Sequence, residues 1–157
     1  MDIQKAYIMI GIPGSGKSTW VKQHLNKDFE LAFSSDEYRR KLCGNASDQT
    51  KNKQVFCTLY QDMEDALRNG KSICFDATNV TLKDRAKFVN LCKEINEEIR
   101  IHAVYLSISK ADAIVRDRKR VRVVGEEVID KFTRRLVEPK LDEGFSVIMQ
   151  IYNRGKG

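Results

Sequence analysis

Residues Gly11-Ile-Pro-Gly14-Ser15-Gly16-Lys17-Ser18 decide the fold, because they match the spacing G-x-x-x-x-G-K-[ST]. Glycines at these positions let the backbone turn so that successive N–H groups surround a polyphosphate. In such a loop the lysine contacts the β- and γ-phosphates, and the hydroxyl of Ser18 can ligate Mg²⁺. The sequence therefore predicts a site for the phosphates of a nucleotide. The residues predicted to form it are Gly11, Gly14, Ser15, Gly16, Lys17, Ser18 and Thr19.

Outward from this loop, apolar β-rich runs alternate with helical patterns along the chain. The predicted strands are Ala6–Ile10, Glu30–Phe33, Ser72–Phe75, Arg100–Ser107 and Phe145–Ile151. The predicted helices are Ser18–Leu25, Asp36–Leu42, Ser47–Asn69, a helix capped by Thr81 and running to about Ile95, Lys110–Arg120, and Glu126–Val137, which Pro139 is expected to end. This alternation predicts an α/β fold, a doubly wound parallel five-stranded sheet with helices on both faces. We expect one domain over residues 1–157, with ligands beyond the carboxyl ends of the strands.

The composition is that of an ordinary globular protein. Of the 157 residues, 41% are hydrophobic and 32% charged, which excludes a disordered or collagen-like chain. No run approaches the ~18 consecutive apolar residues of a membrane span, and no signal-peptide pattern opens the sequence. The four cysteines form no C-x-x-C motif and both histidines are isolated, so we expect a reducing cytoplasm and no zinc site. The net charge of +6 suits phosphate-bearing partners, and no pattern points to a membrane or a protein partner.

Asp36 follows the second predicted strand, which puts it at the carboxyl edge of the sheet beside the phosphate loop. Phosphoryl transfer needs a carboxylate that accepts the proton of the attacking hydroxyl, and Asp36 is placed for that role. Arg39 comes about one helical turn later and can hold a phosphate of the acceptor. The alternative is that Asp36 only caps the short helix and that Arg39 is solvated.

Asp76, Thr78 and Asn79 follow the third predicted strand and reach the same edge. An acid there can hold a water molecule on Mg²⁺ or shape the acceptor pocket, while Thr78 and Asn79 offer hydrogen bonds. The alternative is an ordinary turn, since Asp and Asn favour turns. Because a phosphate loop is present, we predict that Asp36, Arg39, Asp76, Thr78 and Asn79 bind the acceptor.

Residues 110–122 contain six basic and two acidic residues, a net charge of +4. Arg116 and Arg120 share one helical face, whereas Arg118 and Arg122 share another, so only one pair can face a ligand. A lid that supplies arginine stabilises the charge that donor phosphates acquire in the transition state. We predict a lid over about residues 110–126, with Arg116 and Arg120 on ATP and a bend at Val123-Val-Gly125. The alternative is a solvated charge run.

Together these motifs resemble the 5′-kinase domain of the bacteriophage polynucleotide kinase/phosphatase family, in the P-loop kinase superfamily. The similar segments are Gly11–Thr19, Ser35–Arg39, Asp76–Asn79 and Arg116–Arg120, in the same order as in the family. The resemblance implies that Asp36 is the base, that Arg39 holds the acceptor phosphate, and that Arg116 and Arg120 hold the donor phosphates. The expected catalytic residues are Asp36, Lys17 and Arg120. Two departures stand out: the chain lacks the D-x-D-x-T phosphatase motif, and zeta toxins and several metabolite kinases share the loop and a similarly placed acid.

Three functions follow as hypotheses. The first is a Mg²⁺-dependent kinase that moves the γ-phosphoryl group of ATP to a 5′-hydroxyl end of RNA or DNA, in the cytoplasm or, for a phage-encoded chain, in the host cytoplasm. The second is a small-molecule kinase for a nucleoside or another metabolite, or a zeta-toxin-like kinase. The third is a nucleotide-binding regulatory module without an acceptor, against which Asp36 and the lid argue. A GTPase is disfavoured because the sequence contains no N-K-x-D motif.

Overall fold

The strands form a parallel sheet, seen in a computed structural model that describes residues 3–46, 50–121 and 123–153. Within those residues the strands are β1 (Lys5–Ile10), β2 (Leu31–Ser34), β3 (Ile73–Asp76), β4 (Arg100–Ser107) and β5 (Val147–Tyr152). Every neighbouring pair is parallel, and the order across the sheet is β2-β3-β1-β4-β5. The predicted five-stranded parallel sheet is confirmed, and the strand that leads into the phosphate loop is its central strand.

Six α-helices of the described residues connect or follow these strands. They are α1 (Lys17–His24), α2 (Ser35–Cys43), α3 (Asn52–Arg68), α4 (Leu82–Ile95), α5 (Lys110–Arg118) and α6 (Glu126–Arg135), and a 3₁₀ turn spans Leu141–Glu143. The side chain of Thr81 caps α4, as predicted, by accepting a hydrogen bond from the backbone N–H of Asp84. In the described part of the chain, no helix combines the length and the apolar character needed to cross a membrane.

Several predicted ends of elements are wrong by a few residues. The long helix begins at Asn52, after Lys51 as its N-cap, and residues 47–49 of the predicted helix lie outside the described residues. The last helix ends at Arg135, two residues before the predicted end at Val137 and well before Pro139. Its end is set by Val137, whose N–H donates to the carbonyl oxygen of Val80 over 2.9 Å and pulls the chain out of the helix. A tertiary hydrogen bond therefore ends this helix before the proline can.

Helices cover both faces of the sheet, as predicted. On one face, Ile8 of β1 is buried in a cluster with Leu59 of α3 and Phe88 of α4. On the opposite face, Met9 is buried with Trp20 of α1. Burial of a large apolar side chain stabilises the folded state by about 1.5–3 kcal/mol relative to leaving that side chain exposed to water. These two layers fix the position of β1, and so they fix where the phosphate loop starts.

A third, smaller cluster lies beyond the carboxyl ends of the central strands. Ile12 after β1 and Val80 after β3 pack against Ala113 of α5 and Ile129 of α6. This packing places α5 and α6 above the sheet edge, where they form the far wall of a cavity.

Candidate active site

The phosphate loop, residues 11–18, leaves the end of β1 and leads directly into α1. Gly14 and Gly16 have φ angles of 86° and 99°, in the left-handed region that side chains other than glycine disfavour. A Cβ atom at position 14 would lie 2.8 Å from the carbonyl oxygen of Ala113, and one at position 16 would lie 2.9 Å from Nδ2 of Asn153. Both glycines are thus required by the fold as well as by the motif.

Lys17 turns its side chain back over the loop that carries it. Its ammonium donates to the carbonyl oxygens of Gly11 and Ile12, over 2.9 and 3.0 Å. Burial lowers the pKa of Lys17 to about 8, although the nearby carboxylates of Asp76 and Asp36 act in the opposite direction. A bound polyphosphate would stabilise the charged ammonium and return the pKa toward its usual value.

Asp76 lies beside the start of α1, because β3 pairs directly with β1. The hydroxyl of Ser18 donates to Oδ2 of Asp76 over 3.4 Å. Asp76 is 7% exposed, and this burial raises the pKa of its carboxyl while the charge of Lys17 opposes the rise. A cation that enters the site would therefore stabilise the charged form of this carboxylate.

The Ser18 and Asp76 oxygens fit Mg²⁺. This ion prefers oxygen ligands and is usually held by one or two protein groups, with phosphates and water completing the shell. Among the described residues no group of three or more His, Cys, Asp or Glu side chains could hold a metal ion. A site that recruits Mg²⁺ together with the nucleotide phosphates is consistent with both observations.

Asp36 and Arg39 form an ion pair at the cavity. Nη1 of Arg39 donates to Oδ1 of Asp36 over 2.8 Å, and Nε donates to Oδ1 of Asn52 over 3.0 Å. The Arg39 side chain is only 11% exposed and its guanidinium carbon lies 5.7 Å from the ring centroid of Phe56. The alternative of a solvated Arg39 is therefore wrong. So is a capping role for Asp36, because the hydroxyl of Ser34 accepts the capping hydrogen bond of α2.

The loop after β3 contacts the start of the phosphate loop through its backbone. The N–H of Gly11 donates to the carbonyl oxygen of Thr78 over 3.0 Å. Asn79 has a φ of 48° and is 4% exposed, and its Nδ2 donates to the carbonyl oxygen of Met9 over 2.9 Å. Thr78 lines the cavity, whereas this contact gives Asn79 a structural role and does not support its predicted contact with the acceptor.

The arginines of the predicted lid lie in different places in the structure. Nε of Arg116 donates to the carbonyl oxygen of Gly14 over 2.9 Å, and both Arg116 and Arg120 line the cavity. Arg118 points away, with its side chain 69% exposed and 3.5 Å from Glu126. Arg120 lies past the end of α5, which is shorter than predicted, and Arg122 lies outside the described residues.

Asp117, one of the two acidic residues in the segment 110–122 and not predicted to have a role, organises the lid. It is 1% exposed, and its two carboxylate oxygens accept hydrogen bonds from the backbone N–H groups of Val124 and Gly125, over 3.0 and 2.9 Å. Arg120 lies 3.8 Å from the same carboxylate. The predicted bend before α6 is thus held by a buried acid that also restrains an arginine of the cavity.

These residues surround a cavity of about 720 Å³. Its donor side consists of the phosphate loop with Asp76, Arg116 and Arg120. The other side contains Asp36 and Arg39, and the predicted lid adds Lys119, Val123 and Val124. The remaining lining residues on this side were not predicted from the sequence, namely Asn52, Phe56, Val128, Lys131 and Phe132. Asn52 and Phe56 are four residues apart at the start of α3, and that i, i+4 spacing beside the apolar stripe of the helix is the only signal that could have indicated them.

The end of β5 also reaches the phosphate loop. Nδ2 of Asn153 donates to the carbonyl oxygen of Ser15 over 3.0 Å, and its backbone N–H donates to Ser107 over 2.8 Å. Residues 154–157, which follow Asn153, lie outside the described residues.

Comparison with known proteins agrees with this geometry. Residues 7–139 match AAA_33, described as an AAA domain. Over 157 residues the chain is 30% identical to transcription factor bHLH140 of Arabidopsis thaliana, covering 96% of this chain and 16% of that protein. It is 23% identical over 155 residues to the bifunctional polynucleotide phosphatase/kinase of Schizosaccharomyces pombe, covering 94% of this chain and 33% of that one. The chain thus spans at most a third of the length of these curated relatives.

Among solved structures, a chain of the Pnkp1/Rnl/Hen1 RNA repair complex superimposes with a TM-score of 0.73 at 20% identity. The match covers 87% of this chain and 45% of that chain. At this identity the likeness shows the fold, an α/β fold of the P-loop kinase type. The resemblance to polynucleotide kinase/phosphatase proteins, predicted from four short motifs, is confirmed.

Proposed function

We propose, from the premise that this chain belongs to the AAA_33 family of AAA domains, that it is an ATP-dependent polynucleotide 5′-hydroxyl kinase. It transfers the γ-phosphoryl group of ATP to a 5′-hydroxyl end of RNA or DNA. The observation that carries the proposal is the Asp36–Arg39 pair, which faces the phosphate loop across one cavity. A nucleotide-binding module without an acceptor would not need a carboxylate and an arginine there.

On the donor side, the residues neutralise charge. Lys17 leaves its backbone carbonyl partners for the β- and γ-phosphates, while Arg116 and Arg120 approach from the lid. Ser18 and Asp76 would hold Mg²⁺, which supplies charge neutralisation at the phosphates when it is bound. Each of these groups lines the cavity before ATP arrives, and Lys17, Arg116 and Arg120 then exchange their protein partners for phosphate oxygens.

On the acceptor side, Asp36 takes the proton. Its side chain is 43% exposed, so an incoming hydroxyl can reach it. As the hydroxyl oxygen bonds to the γ-phosphorus, its proton passes to the carboxylate of Asp36, and the bond from the γ-phosphorus to the β–γ bridging oxygen breaks. ADP leaves with the electron pair of that bond. Arg39 keeps the carboxylate of Asp36 oriented until the proton arrives.

Arg39 and Phe56 together favour a nucleotide as the acceptor. A guanidinium has five N–H donors, and the bonds to Asp36 and Asn52 use two of them. The remainder suit a phosphate next to the attacked sugar, since arginine binds phosphate through charge-assisted hydrogen bonds. The ring of Phe56 and the apolar side chains of Val128 and Phe132 line the same cavity and suit the face of a base.

The second candidate is a small-molecule or zeta-toxin-like kinase, which the size of the site favours. The cavity of about 720 Å³ is within the range of small-molecule pockets, and its walls come from three sides. A nucleoside or another metabolite would use the same donor site and the same base. The two candidates differ only in whether a phosphate on the acceptor matters.

An acceptor panel with γ-labelled ATP separates these functions. The panel contains a 5′-hydroxyl oligonucleotide, a nucleoside 3′-monophosphate, the matching nucleoside and a set of sugars. If Arg39 holds the 3′-phosphate, that contact contributes about 1.5–3 kcal/mol, or roughly 10- to 150-fold in kcat/KM over the bare nucleoside. Arg39→Ala should shrink this preference, whereas Arg40→Ala, the exposed neighbour that pairs with Glu37, should preserve it. Equal use of nucleoside and nucleoside 3′-phosphate by the wild type would contradict the polynucleotide assignment.

A further inference from the structure

Arg85 of α4 is the largest fully buried side chain in the described part of the chain, with 0% exposure. Its Nε and Nη2 donate to the two carboxylate oxygens of Glu143, over 2.8 and 3.2 Å. Buried ion pairs of this kind do not in general stabilise a protein more than well-packed apolar residues of similar volume. Stability alone therefore does not account for the pair, and the remaining contacts of the guanidinium are informative.

The third nitrogen of Arg85 holds the loop that follows β3. Nη1 donates to the carbonyl oxygens of Asn79 and Val80, over 3.1 Å in each case. Asn79 is the residue with the left-handed φ of 48°, a conformation that costs free energy and needs support from its surroundings. Arg85 provides that support from inside the protein.

The supported loop is in turn bonded to both sides of the point where the phosphate loop begins. Asn79 donates to the carbonyl oxygen of Met9 on β1, and the carbonyl oxygen of Thr78 accepts from the N–H of Gly11. The same loop begins just after Asp76, the carboxylate beside Ser18. A shift of this loop would therefore move groups on the donor side of the cavity.

Arg85 also reaches the segment that follows the far wall of the cavity. The carbonyl oxygen of Val80 accepts from the N–H of Val137, just past the end of α6. Glu143 accepts from the backbone N–H of Lys140 over 2.9 Å. One guanidinium thus fixes the loop after β3 relative to the base of α6, which contributes Val128 and Phe132 to the cavity.

We propose that Arg85 is a positioning residue for phosphoryl transfer, which acts through the carbonyl oxygens of Asn79 and Val80 to hold the donor side and the far wall of the cavity in register. Glu143 orients the guanidinium through both of its carboxylate oxygens. The proposal rests on the proposed kinase function, because its main measurement is the rate of transfer.

The test uses variants that should affect stability, measured as Tm, and positioning, measured as kcat, to different extents. The Arg85→Met/Glu143→Leu double variant removes both charges, so it should lower the Tm less than Glu143→Gln, which leaves the charge of Arg85 buried without a partner. Its kcat should nevertheless fall by about 10²-fold, as expected when reacting groups are misplaced by about 1 Å. Arg85→Lys keeps the ion pair but loses the fork that spans Glu143 and the loop, and it should lower kcat in the same direction. Arg68→Met/Glu64→Leu, on an exposed ion pair of α3, is the matched control.

Glu143→Gln completes the set, because it leaves Arg85 buried without its counter-charge. We expect it to lower Tm at least as much as Arg85→Lys does, yet to retain more of the wild-type kcat, since the contacts to Asn79 and Val80 survive. The proposal would be overturned if kcat in every variant fell only in proportion to the fraction of protein that is folded. So would a double variant with both the Tm and the kcat of the wild type.

A second measurement keeps the test independent of the acceptor. Hydrogen exchange of the Gly11 and Val137 amides, which donate to Thr78 and Val80, should be faster in the double variant and unchanged in the Arg68/Glu64 control. If the wild type phosphorylates nothing in the panel, the kinase function fails, while the exchange rates still decide whether Arg85 holds the loop. Unchanged exchange at both amides would overturn its role.

Discussion

The donor side and the acceptor side of the cavity are built from different parts of the chain. The donor side is mostly backbone: the glycines of residues 11–18 set its shape, and the ammonium of Lys17 is bonded to two carbonyl oxygens of the loop itself. The acceptor side consists of side chains on two helices, where Arg39 of α2 meets Asn52 and Phe56 of α3. The loop at the centre of the donor side is specified within eight residues, whereas the acceptor side exists only once α2 and α3 have packed.

This difference predicts different responses to substitution. On the acceptor side one side chain carries the proton transfer, so its loss affects chemistry and leaves ATP binding nearly intact. On the donor side several groups share the phosphates, so each loss is smaller and affects both binding and chemistry. Four experiments test the contrast, in decreasing order of expected effect.

Asp36→Asn should give the largest effect. The amide is nearly isosteric with the carboxylate but cannot accept the proton, so kcat should fall by about 10²–10⁴-fold while the Kd for ATP changes little. Steady-state kinetics with a 5′-hydroxyl oligonucleotide and direct titration with ATP measure the two quantities. Glu37→Gln, the exposed neighbour on α2, is the control. A normal kcat with a lowered Tm would return Asp36 to a structural role.

Lys17→Ala should lower kcat by about 10²–10³-fold and weaken ATP binding as well, because its ammonium contacts phosphate in both the ground state and the transition state. The fold should survive, since the ammonium bonds only to the loop. Circular dichroism and the Tm check the fold, and Lys22→Ala, on the exposed side of the same helix, provides the comparison. Turnover near that of the wild type would exclude this loop as the donor site.

The effect on kcat of replacing each lid arginine should depend on whether its side chain points into the cavity or into solvent. Arg116→Ala and Arg120→Ala each remove a charged contact to the donor phosphates, and each should lower kcat by roughly 10- to 150-fold. Arg118→Ala removes only an exposed ion pair with Glu126 and should change kcat by less than about twofold. If all three substitutions lowered kcat by the same small factor, residues 110–122 would be a solvated charge run.

The smallest effect is a pH dependence of ATP binding on the donor side. The pKa of Lys17 is lowered to about 8 in the empty site, and bound phosphate favours the charged ammonium. Protonation and ATP binding therefore support each other, so the Kd should be nearly constant below pH 8 and should rise by up to about tenfold per pH unit above it. Lys17→Met should remove this rise in the same titration. If the Kd of Lys17→Met rose by the same amount above pH 8, a group other than Lys17 would be responsible for the pH dependence.

The difference between the two sides also explains which parts of the fold and of the site could be predicted from the sequence. The glycine spacing of residues 11–18 predicted the loop, since only that spacing lets the backbone take the φ angles of Gly14 and Gly16. The parallel sheet followed from buried runs alternating with helical patterns, because both periodicities are local. Asp36, Arg39 and Asp76 were predicted from their positions just after strands, and their roles in catalysis stay predictions.

Residues whose position depends on distant contacts were missed. Asn52 and Phe56 belong to the site only because α3 packs beside α2, and Asp117 is an organising group only because the lid folds back over it. The end of α6 was misplaced for the same reason, since the bond between Val137 and Val80 joins segments far apart in the chain. A pattern within a short window contains no information about such pairs.

The hydrogen bond from Asn153 to Ser15 has a consequence for synthesis of the protein. It joins residues 138 positions apart, and it is made by the residue that follows β5, the last strand of the sheet. A chain still being translated has the whole phosphate loop long before it has this contact. Because a parallel sheet closes through such distant pairings, the nascent chain acquires a fully supported phosphate loop only after β5 and Asn153 have left the ribosome.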